Sequence, residues 1–115
     1  MNLYFLVEGR RTEKKVYGAW IHHVFPYLRK AATIEEVESN HFFIISGNGY
    51  PSYFSRIPAA LEDIVRHGAI DYFFICVDAE EDSVEAKMNE IGKIISKWPS
   101  FPNCHIIIHN CCMET

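Results

Sequence analysis

Short apolar runs alternate along this chain with longer stretches in which apolar residues recur every three or four positions. The runs are typical of buried strands, and the longer stretches are typical of amphipathic helices. The predicted strands cover residues 2–7, 41–46, 72–77 and 104–109. Because nearly continuous apolar strands that alternate with helices form parallel sheets, we expect a single α/β domain of the three-layer, Rossmann-like kind. Its sheet would be four-stranded and mainly parallel, with helices on both faces.

The first and third predicted helices each carry an apolar stripe. Thr12 is a candidate N-cap for the first helix, whose sheet-facing stripe we expect to be Val16, Trp20 and Val24, widened by Tyr17, Ala19 and Ile21. The third helix follows Asp82 or Ser83 as its cap and ends before Pro99. Its stripe steps by four, three, four and three residues through Val84, Met88, Ile91, Ile95 and Trp98.

The second predicted helix lies between Ser52 and His67, and Gly68 is its natural stop. Proline is tolerated in the first turn of a helix, so Pro58 favours a start near a Ser55 cap. We expect its buried side to be Ile57, Leu61, Ile64 and Val65. Residues 29–40 are polar and acidic and predict a solvated connection, and the Gly-Asn-Gly at 47–49 predicts a turn.

Composition narrows the class of protein. The chain has 115 residues, 49% of them hydrophobic, which suits one domain with one core. No apolar run approaches the roughly 18 residues of a membrane span, and no signal peptide is recognisable, so we expect a cytoplasmic protein. The net charge of -4 argues against a general nucleic-acid coat protein but not against a nuclease that uses metal ions.

The four cysteines form no C-x-x-C pair, and reduced, buried thiols are the expectation for most of them. A zinc site made of Cys104, His105, His109 and Cys111 is disfavoured because these residues fall in or beside a predicted strand. The six histidines share no spacing, and we interpret them as core-edge or surface residues.

Acidic residues mark the ends of two predicted strands. Glu8 follows the first strand, and Asp78 and Glu80 follow the third. In a parallel sheet these ends lie at one edge, where ligands bind at the point at which strand order reverses. The hypothesis depends on whether the two ends are neighbours. Glu81, Asp82 and Glu85 are more typical of the start of the next helix.

Clustered carboxylates repel one another unless a proton or cation intervenes. Mg²⁺ or Mn²⁺ takes oxygen ligands from one or two carboxylates, and two such ions can promote phosphodiester cleavage. A basic cluster follows Glu8 at the predicted start of a helix, a natural place for a phosphate group. Its members are Arg10, Arg11, Lys14 and Lys15.

The motifs resemble those of Toprim domains, and most closely those of the OLD-type and related bacterial defence nucleases. Glu8-Gly9 after the first strand, with Thr12-Glu13 opening a helix, resembles the first Toprim motif. Asp78-Ala79-Glu80 resembles the second, which is Asp-x-Asp in the family. The resemblance spans nearly the whole chain in order and spacing.

The resemblance implies roles for individual residues. Glu8 would be the catalytic glutamate, as general acid/base or metal ligand, and Asp78 and Glu80 would hold Mg²⁺ or Mn²⁺. Asp82 and Glu114 would be additional acidic ligands. Glu80 in place of aspartate lengthens one ligand by a methylene. The chain stops where family members continue, so we expect a domain spanning residues 1–115 that is truncated at its C-terminus.

The sequence therefore predicts a metal-dependent nuclease domain acting on nucleic acid, DNA in the first instance, in a bacterial antiviral defence or repair system. Expected partners are nucleic acid, a protein such as an ATPase, and further copies of the chain, with no membrane. Two alternatives stay open. One is a non-catalytic Toprim-like module that docks on a partner; the other is a receiver-like domain phosphorylated on Asp78. A dinucleotide-binding Rossmann domain is disfavoured because only Gly9 follows the first strand.

Overall fold

The computed structural model describes residues 1–9, 11–47, 52–78, 84–98, 101 and 103–109. Within these residues the chain alternates between strands and helices, as the hydrophobic pattern predicts. The elements are β1 (Leu3–Val7), α1 (Arg11–Val24), β2 (Arg29–Lys30), β3 (His41–Ser46), α2 (Ser52–His67), β4 (Tyr72–Asp78), α3 (Val84–Ile95) and β5 (Cys104–His109).

The strands form one sheet in the order β2-β3-β1-β4-β5, and every neighbouring pair is parallel. The expected α/β class with a parallel sheet is confirmed. The sheet has five strands in the described part of the chain rather than the predicted four. Strand β1 lies in the middle. The chain passes from β1 to the outermost strand β2, returns to β3 beside β1, crosses over β1 to β4, and continues outward to β5.

The additional strand, β2, lies in the segment that the sequence predicts to be a solvated connection. Arg29 donates its backbone N–H to the Asn40 carbonyl at 2.8 Å, and the Ala31 N–H reaches the Phe42 carbonyl at 2.9 Å. Ala31 and Val37 are buried, which anchors this segment to the core. The prediction of an entirely solvated connection is therefore wrong. Strand β2 is the outermost strand on one side of the sheet. Because it has only two residues, exposed Arg29 and Lys30, it also protects that lateral side from pairing with a further strand.

Helices cover both faces of the sheet, unequally. Helices α2 and α3 pack on one face, and α1 packs on the other. Alternation along each strand sends successive side chains to opposite faces. The α2–α3 face buries Tyr4, Leu6, Ile57, Leu61, Ile64, Phe73, Ile75, Val77 and Ile91. The α1 face buries Leu3, Phe5, Val7, Tyr17, Ile21, Phe42, Ile44 and Cys76. None of the described helices is long and apolar enough to span a membrane.

Helix α1 turns only the Tyr17 and Ile21 side of the predicted stripe to the sheet. Tyr17 and Ile21 are buried, whereas Trp20 is 51% exposed and Val16 and Val24 are exposed as well. The helix axis comes close enough to the sheet that Ile44 Cδ1 lies 3.8 Å from the position a Cβ would take on Gly18. The predicted stripe and the observed one are adjacent on the helix surface, so periodicity alone did not separate them.

Helix α2 begins earlier than its proline suggested. The helix starts at Ser52, so Pro58 lies inside it rather than in the first turn, and Ser55 is a helical residue. Pro58 cannot donate to the preceding turn, a local cost that the deep burial of Ile57 and Leu61 offsets. Val65, predicted to be buried, is exposed. Gly68 ends the helix as predicted, with φ at 82° and its N–H donating to the Ile64 carbonyl at 3.0 Å.

Asn2 closes the amino edge of the sheet, where the strands begin. It is 4% exposed. Its side-chain amide donates to the carbonyls of Glu38 at 2.9 Å and Ala69 at 2.8 Å, and its side-chain oxygen accepts the His41 N–H at 3.0 Å. Its backbone N–H donates to the Asp71 carboxylate at 2.6 Å. One neutral side chain thus ties β1 to the segments that precede β3 and β4.

Candidate functional site

The ends of β1 and β4 lie side by side at the carboxyl edge of the sheet. The two strands pair in parallel with Val7 opposite Cys76, and the Glu8 N–H donates to the Cys76 carbonyl at 3.0 Å. Asp78 is the last residue of β4 and lies opposite His109 of β5. The predicted adjacency of the two strand ends, on which the site hypothesis depends, is therefore confirmed for the backbone.

This edge is also where the strand order reverses. After β1 the chain passes into α1 on one face, and after β4 it passes into α3 on the other face. Connections that leave two neighbouring strands toward opposite faces open a crevice at their carboxyl ends. The backbones of Glu8 and Asp78 both lie at this crevice, the usual ligand-binding position in sheets of this kind.

Glu8 is held in place from both sides. On one side its N–H continues the β1–β4 ladder to Cys76. On the other side the Gly47 N–H donates to the Val7 carbonyl at 2.8 Å, and the Ser46 hydroxyl donates to the Gly9 carbonyl. Glu8 itself is only 5% exposed. A carboxylate removed from water at a fixed backbone position is costly unless charges or hydrogen bonds compensate it, and such positions are common in functional sites.

The other predicted site residues are described only in part. The backbone of α1 starts at Arg11, so Arg11, Lys14 and Lys15 follow the carboxyl edge as the sequence predicts, and Lys15 is exposed. The side chains of Asp78, Arg11 and Lys14 lie outside the described part. Also outside it lie Arg10, Glu80, Asp82 and Glu114, together with the predicted Asn48–Gly49 turn. The metal-ligand set and the phosphate-binding cluster therefore stay predictions.

Among the side chains that the structure describes, no group of three His, Cys, Asp or Glu residues is placed to hold a metal ion. Glu8 is the one predicted metal ligand whose side chain belongs to this set. Its backbone at the crevice and its burial suit one carboxylate of a Mg²⁺ or Mn²⁺ site. Three members of the disfavoured zinc set lie along β5, with Cys104 at the amino edge and His109 at the carboxyl edge, and Cys111 lies outside the described residues.

The sequence missed Lys87, a second buried charge near the same edge. The predicted stripe of α3 contains Met88, but Met88 is 42% exposed, and the neighbouring Lys87 is 1% exposed. Lys87 lies four residues before the fully buried Ile91, on the sheet-facing side of the helix. Its ammonium nitrogen lies 5.8 Å from the centre of the Phe54 ring, within cation–π range. The spacing to Ile91 was the signal, overlooked because lysine is seldom buried.

A separate apolar cleft of about 280 Å³ opens on the α1 face, next to β4 and β5. Phe5 and Phe74 stack at 4.9 Å, and Phe74 stacks on His105 at 5.4 Å, so one wall is a row of rings. Exposed Trp20 of α1 also lines the cleft. The cleft is lined by Met1, Leu3, Phe5, Trp20, Phe25, Tyr72, Phe74, His105 and Ile107. These residues face away from the α2–α3 side, on which Lys87 is buried.

Comparison of the chain with protein-family models, with curated proteins and with solved structures finds no match. The resemblance to Toprim domains therefore rests on the order and spacing of the sequence motifs. The fold adds a parallel sheet in which the strands that carry those motifs are neighbours.

Proposed function

We propose that this chain is a Toprim-like nuclease domain that hydrolyses phosphodiester bonds in DNA with the help of Mg²⁺ or Mn²⁺. The observation that supports it most is the pairing of β1 with β4, which puts Glu8 and Asp78 at one crevice. Had β1 and β4 been separated by another strand, Glu8 and Asp78 would have been unrelated turn residues. The burial of Glu8 adds support, because a glutamate that only decorates a turn would be exposed to water.

Each residue has a role in this proposal. Asp78 and Glu80 hold the metal, with Asp82 and Glu114 as further ligands. Glu8 either completes the ligand set or moves a proton, and the backbone hydrogen bonds on both sides of it fix the position of its backbone at the crevice. Bound ions would supply an activated water and stabilise the leaving oxygen. Arg10, Arg11, Lys14 and Lys15 hold the nucleic-acid phosphates at the start of α1.

The wider setting follows from the same resemblance. We propose a cytoplasmic role in bacterial antiviral defence or DNA repair, in which the domain works with a protein partner such as an ATPase and forms homo-oligomers.

Cleavage by purified protein tests the proposal. Supercoiled plasmid DNA is incubated with the wild type, Glu8→Gln, Asp78→Asn and the control Glu62→Gln, each with Mn²⁺, with Mg²⁺ and with a chelator. Glu62 is exposed on α2, so its variant repeats the Glu8 change away from the crevice. We expect cleavage that requires metal, is lost at least about 100-fold in both site variants, and is kept in the control. Metal-dependent cleavage that persists in both site variants would contradict the proposal.

One observation favours the non-catalytic module as a second candidate. The apolar cleft beside exposed Trp20 is the kind of surface that binds a protein partner. A Mn²⁺ titration that detects no binding, together with loss of partner binding in Trp20→Asp, would favour this candidate over the nuclease. The receiver-like alternative shares the strand order around β1, so the fold does not separate it. Transfer of phosphate from a small phosphodonor to Asp78 would support it.

A further inference from the structure

A second groove on the α1 face concentrates basic side chains. It has a volume of about 550 Å³ and lies between α1 and β2, whereas the apolar cleft lies toward β4 and β5. Four of the residues that line it are basic, namely Lys15, His22, Arg29 and Lys30. The remaining lining is small or apolar and consists of Gly18, Ala19, Pro26, Leu28 and Phe42. We call this surface the basic groove.

The basic residues come from two elements on either side of the groove. Lys15 and His22 belong to α1, and both are exposed. Arg29 and Lys30 form β2, and both are exposed as well. Lys30 lies opposite Phe42 of β3, whose side chain packs on the α1 face, so strand geometry directs Lys30 to the groove side. A ligand in the groove therefore meets basic groups from both the helix and the strand.

The positive charge of the basic groove is not compensated by carboxylates. None of the described residues that line it is acidic, and Lys15, Arg29 and Lys30 form no ion pair with another described side chain. A groove on the opposite face, which also adjoins β3, differs in this respect. Its basic residue Arg56 is accompanied by the acidic residues Glu35 and Asp63. In a chain of net charge -4, a groove with basic residues alone attracts an anionic ligand.

The length of the groove suits an extended anion. Helix α1 begins beyond the crevice, with Lys15 near its start and His22 near its end. The rise between these two residues is about 10 Å, at about 1.5 Å per residue. Phosphates along one strand of a DNA duplex follow one another every 3.4 Å or so of helix axis, so about three of them match this length. A flat anionic surface, such as a membrane, would not reach basic groups that line a concave groove.

We propose that the basic groove binds the sugar–phosphate backbone of a DNA strand and continues the path of that strand from the crevice along α1. Lys15, Arg29 and Lys30 contact phosphates, and His22 donates a ring N–H to one of them. Sugars pack on the small and apolar part of the lining. Contacts of this kind carry no sequence information. The choice of DNA rests on the proposed function, whereas the attraction of a phosphate backbone rests on the charge of the groove.

DNA binding without metal tests the proposal. Fluorescence anisotropy of a labelled single strand of about 20 nucleotides is measured in a chelator, so that cleavage plays no part. The groove variant is Arg29→Gln/Lys30→Gln, and the control Lys93→Gln/Lys97→Gln removes the same charge from exposed positions in and after α3. We expect the groove variant to bind at least about 10-fold more weakly than wild type, and the control to stay within about 2-fold. Equal weakening in both variants, or a wild type that binds no DNA, overturns the proposal.

The salt dependence of the affinity shows whether phosphate contacts are lost. Each contact with a phosphate of a single strand contributes about 0.7 to the slope of log affinity against log salt concentration. We expect this slope to become shallower by about 1.4 in the groove variant and by about 0.7 in Lys30→Gln alone. The single variant also keeps the test decisive if the double variant does not fold. A slope in Lys30→Gln equal to that of wild type overturns the proposal.

Two further ligands distinguish a DNA backbone from other polyanions. A polyglutamate peptide with the same number of charges lacks sugars that pack on the lining, and we expect it to displace labelled DNA at least about 10-fold less effectively than unlabelled DNA does. Equal displacement would identify an acidic protein as the partner and overturn the proposal. RNA of the same sequence should bind no more tightly than DNA, and a preference for RNA of about 10-fold would overturn the choice of DNA.

Failure of the basic groove and failure of the proposed function give different results. A wild type that binds DNA through the groove but shows no metal-dependent cleavage contradicts the nuclease and leaves the groove standing. A wild type that cleaves DNA with metal, together with a groove variant that binds DNA as tightly as wild type, overturns the groove and leaves the nuclease standing.

Discussion

The two edges of the sheet both bury polar side chains, but they do so by different physical means. At the amino edge Asn2 is neutral and makes hydrogen bonds to backbone groups of Glu38, Ala69 and His41. At the carboxyl edge the buried residue after β1 is the ionisable Glu8, and Lys87 is buried on the same side. Asn2 and Glu8 flank the two ends of the same strand, β1. Sheet geometry alone therefore does not explain why one is a hydrogen-bonded amide and the other a carboxylate.

This difference between the two edges leads us to expect that the amino edge contributes to stability and the carboxyl edge to ligand binding. A buried amide whose partners are fixed backbone groups lowers the free energy of the folded state and has nothing left to offer a ligand. Buried charges cost free energy in the folded protein and are common where chemistry needs them. We therefore expect substitutions at the amino edge to change stability alone, and substitutions at the carboxyl edge to change ligand binding as well.

The largest effect is expected for Asn2→Leu. This change removes the amide that satisfies the Glu38 and Ala69 carbonyls and the His41 N–H, and we expect it to lower the free energy of unfolding by about 3 kcal/mol. Urea denaturation measures the loss. The matched control is Asn103→Leu at the same edge, where an exposed amide makes one bond of 3.2 Å to the Asp71 carbonyl, and we expect a loss under about 1 kcal/mol.

The same two variants test whether the amino edge contributes to stability without contributing to metal binding. Below the unfolding transition, Asn2→Leu should bind Mn²⁺ with the affinity of wild type, since the amide lies at the far end of β1. A several-fold loss of affinity in Asn2→Leu, without a similar loss in Asn103→Leu, would show that the two edges are not independent.

A second effect concerns ionisation at the amino edge. Burial raises the pKa of the Cys104 thiol to about 11 from an ordinary value of 9.0. Alkylation at pH 8, followed at Cys104 by mass spectrometry, should be at least about 10-fold slower in the folded protein than in urea. The rate should rise with pH until about 11, whereas the unfolded chain levels off near 9. Because the folded state favours the neutral thiol, this group lowers stability as pH rises from about 9 to about 11. A plateau near pH 9 in the folded protein would contradict the prediction.

The smallest effect is expected for Gly68→Ala. Gly68 ends α2 at the amino edge with φ at 82°, a conformation that alanine adopts at a cost of about 1 kcal/mol. A Cβ there would meet no atom within 4 Å, so backbone strain is the whole effect. Gly92→Ala is the control, because Gly92 lies within α3, also has open space, and should be stabilised by up to about 1 kcal/mol. Thermal unfolding that ranks the two variants in the opposite order would show that strain at Gly68 is not the deciding factor.

Strand and helix positions followed from the sequence because strong local signals agreed. The bounds of β3 and β5 match the predicted ranges 41–46 and 104–109, and α2 ends at His67, directly before Gly68, as predicted. Apolar β-branched runs and a helix-ending glycine are signals that span only a few residues, so they can be recognised without knowledge of the fold. The adjacency of the β1 and β4 ends did not follow from the sequence alone: right-handed crossovers leave few topologies for a parallel sheet, and the observed strand order selects the one in which the two strands pair.

What the sequence could not provide was the rotation of each helix about its axis. On α1 the sheet side passes through Tyr17 and Ile21 rather than Val16 and Trp20, and on α3 it passes through Lys87 rather than Met88. A shift of one residue turns a helix by about 100°, and two neighbouring apolar stripes leave that angle undetermined until the sheet is present. The buried lysine was missed for this reason. Strand β2 was missed because two hydrogen-bonded residues carry too little pattern to be recognised.

The central position of β1 has a consequence for how the chain is made. The ribosome synthesises Leu3–Val7 before the other strands of the sheet, yet its two neighbours in the sheet, His41–Ser46 and Tyr72–Asp78, emerge much later. An apolar segment therefore stays unpaired until the later strands of the sheet have been synthesised, and pairing at long sequence separation is slow. The crevice at Glu8 takes shape only when β4 docks beside β1. A nascent chain consequently holds no assembled site, and any nuclease activity would begin only after the domain has folded.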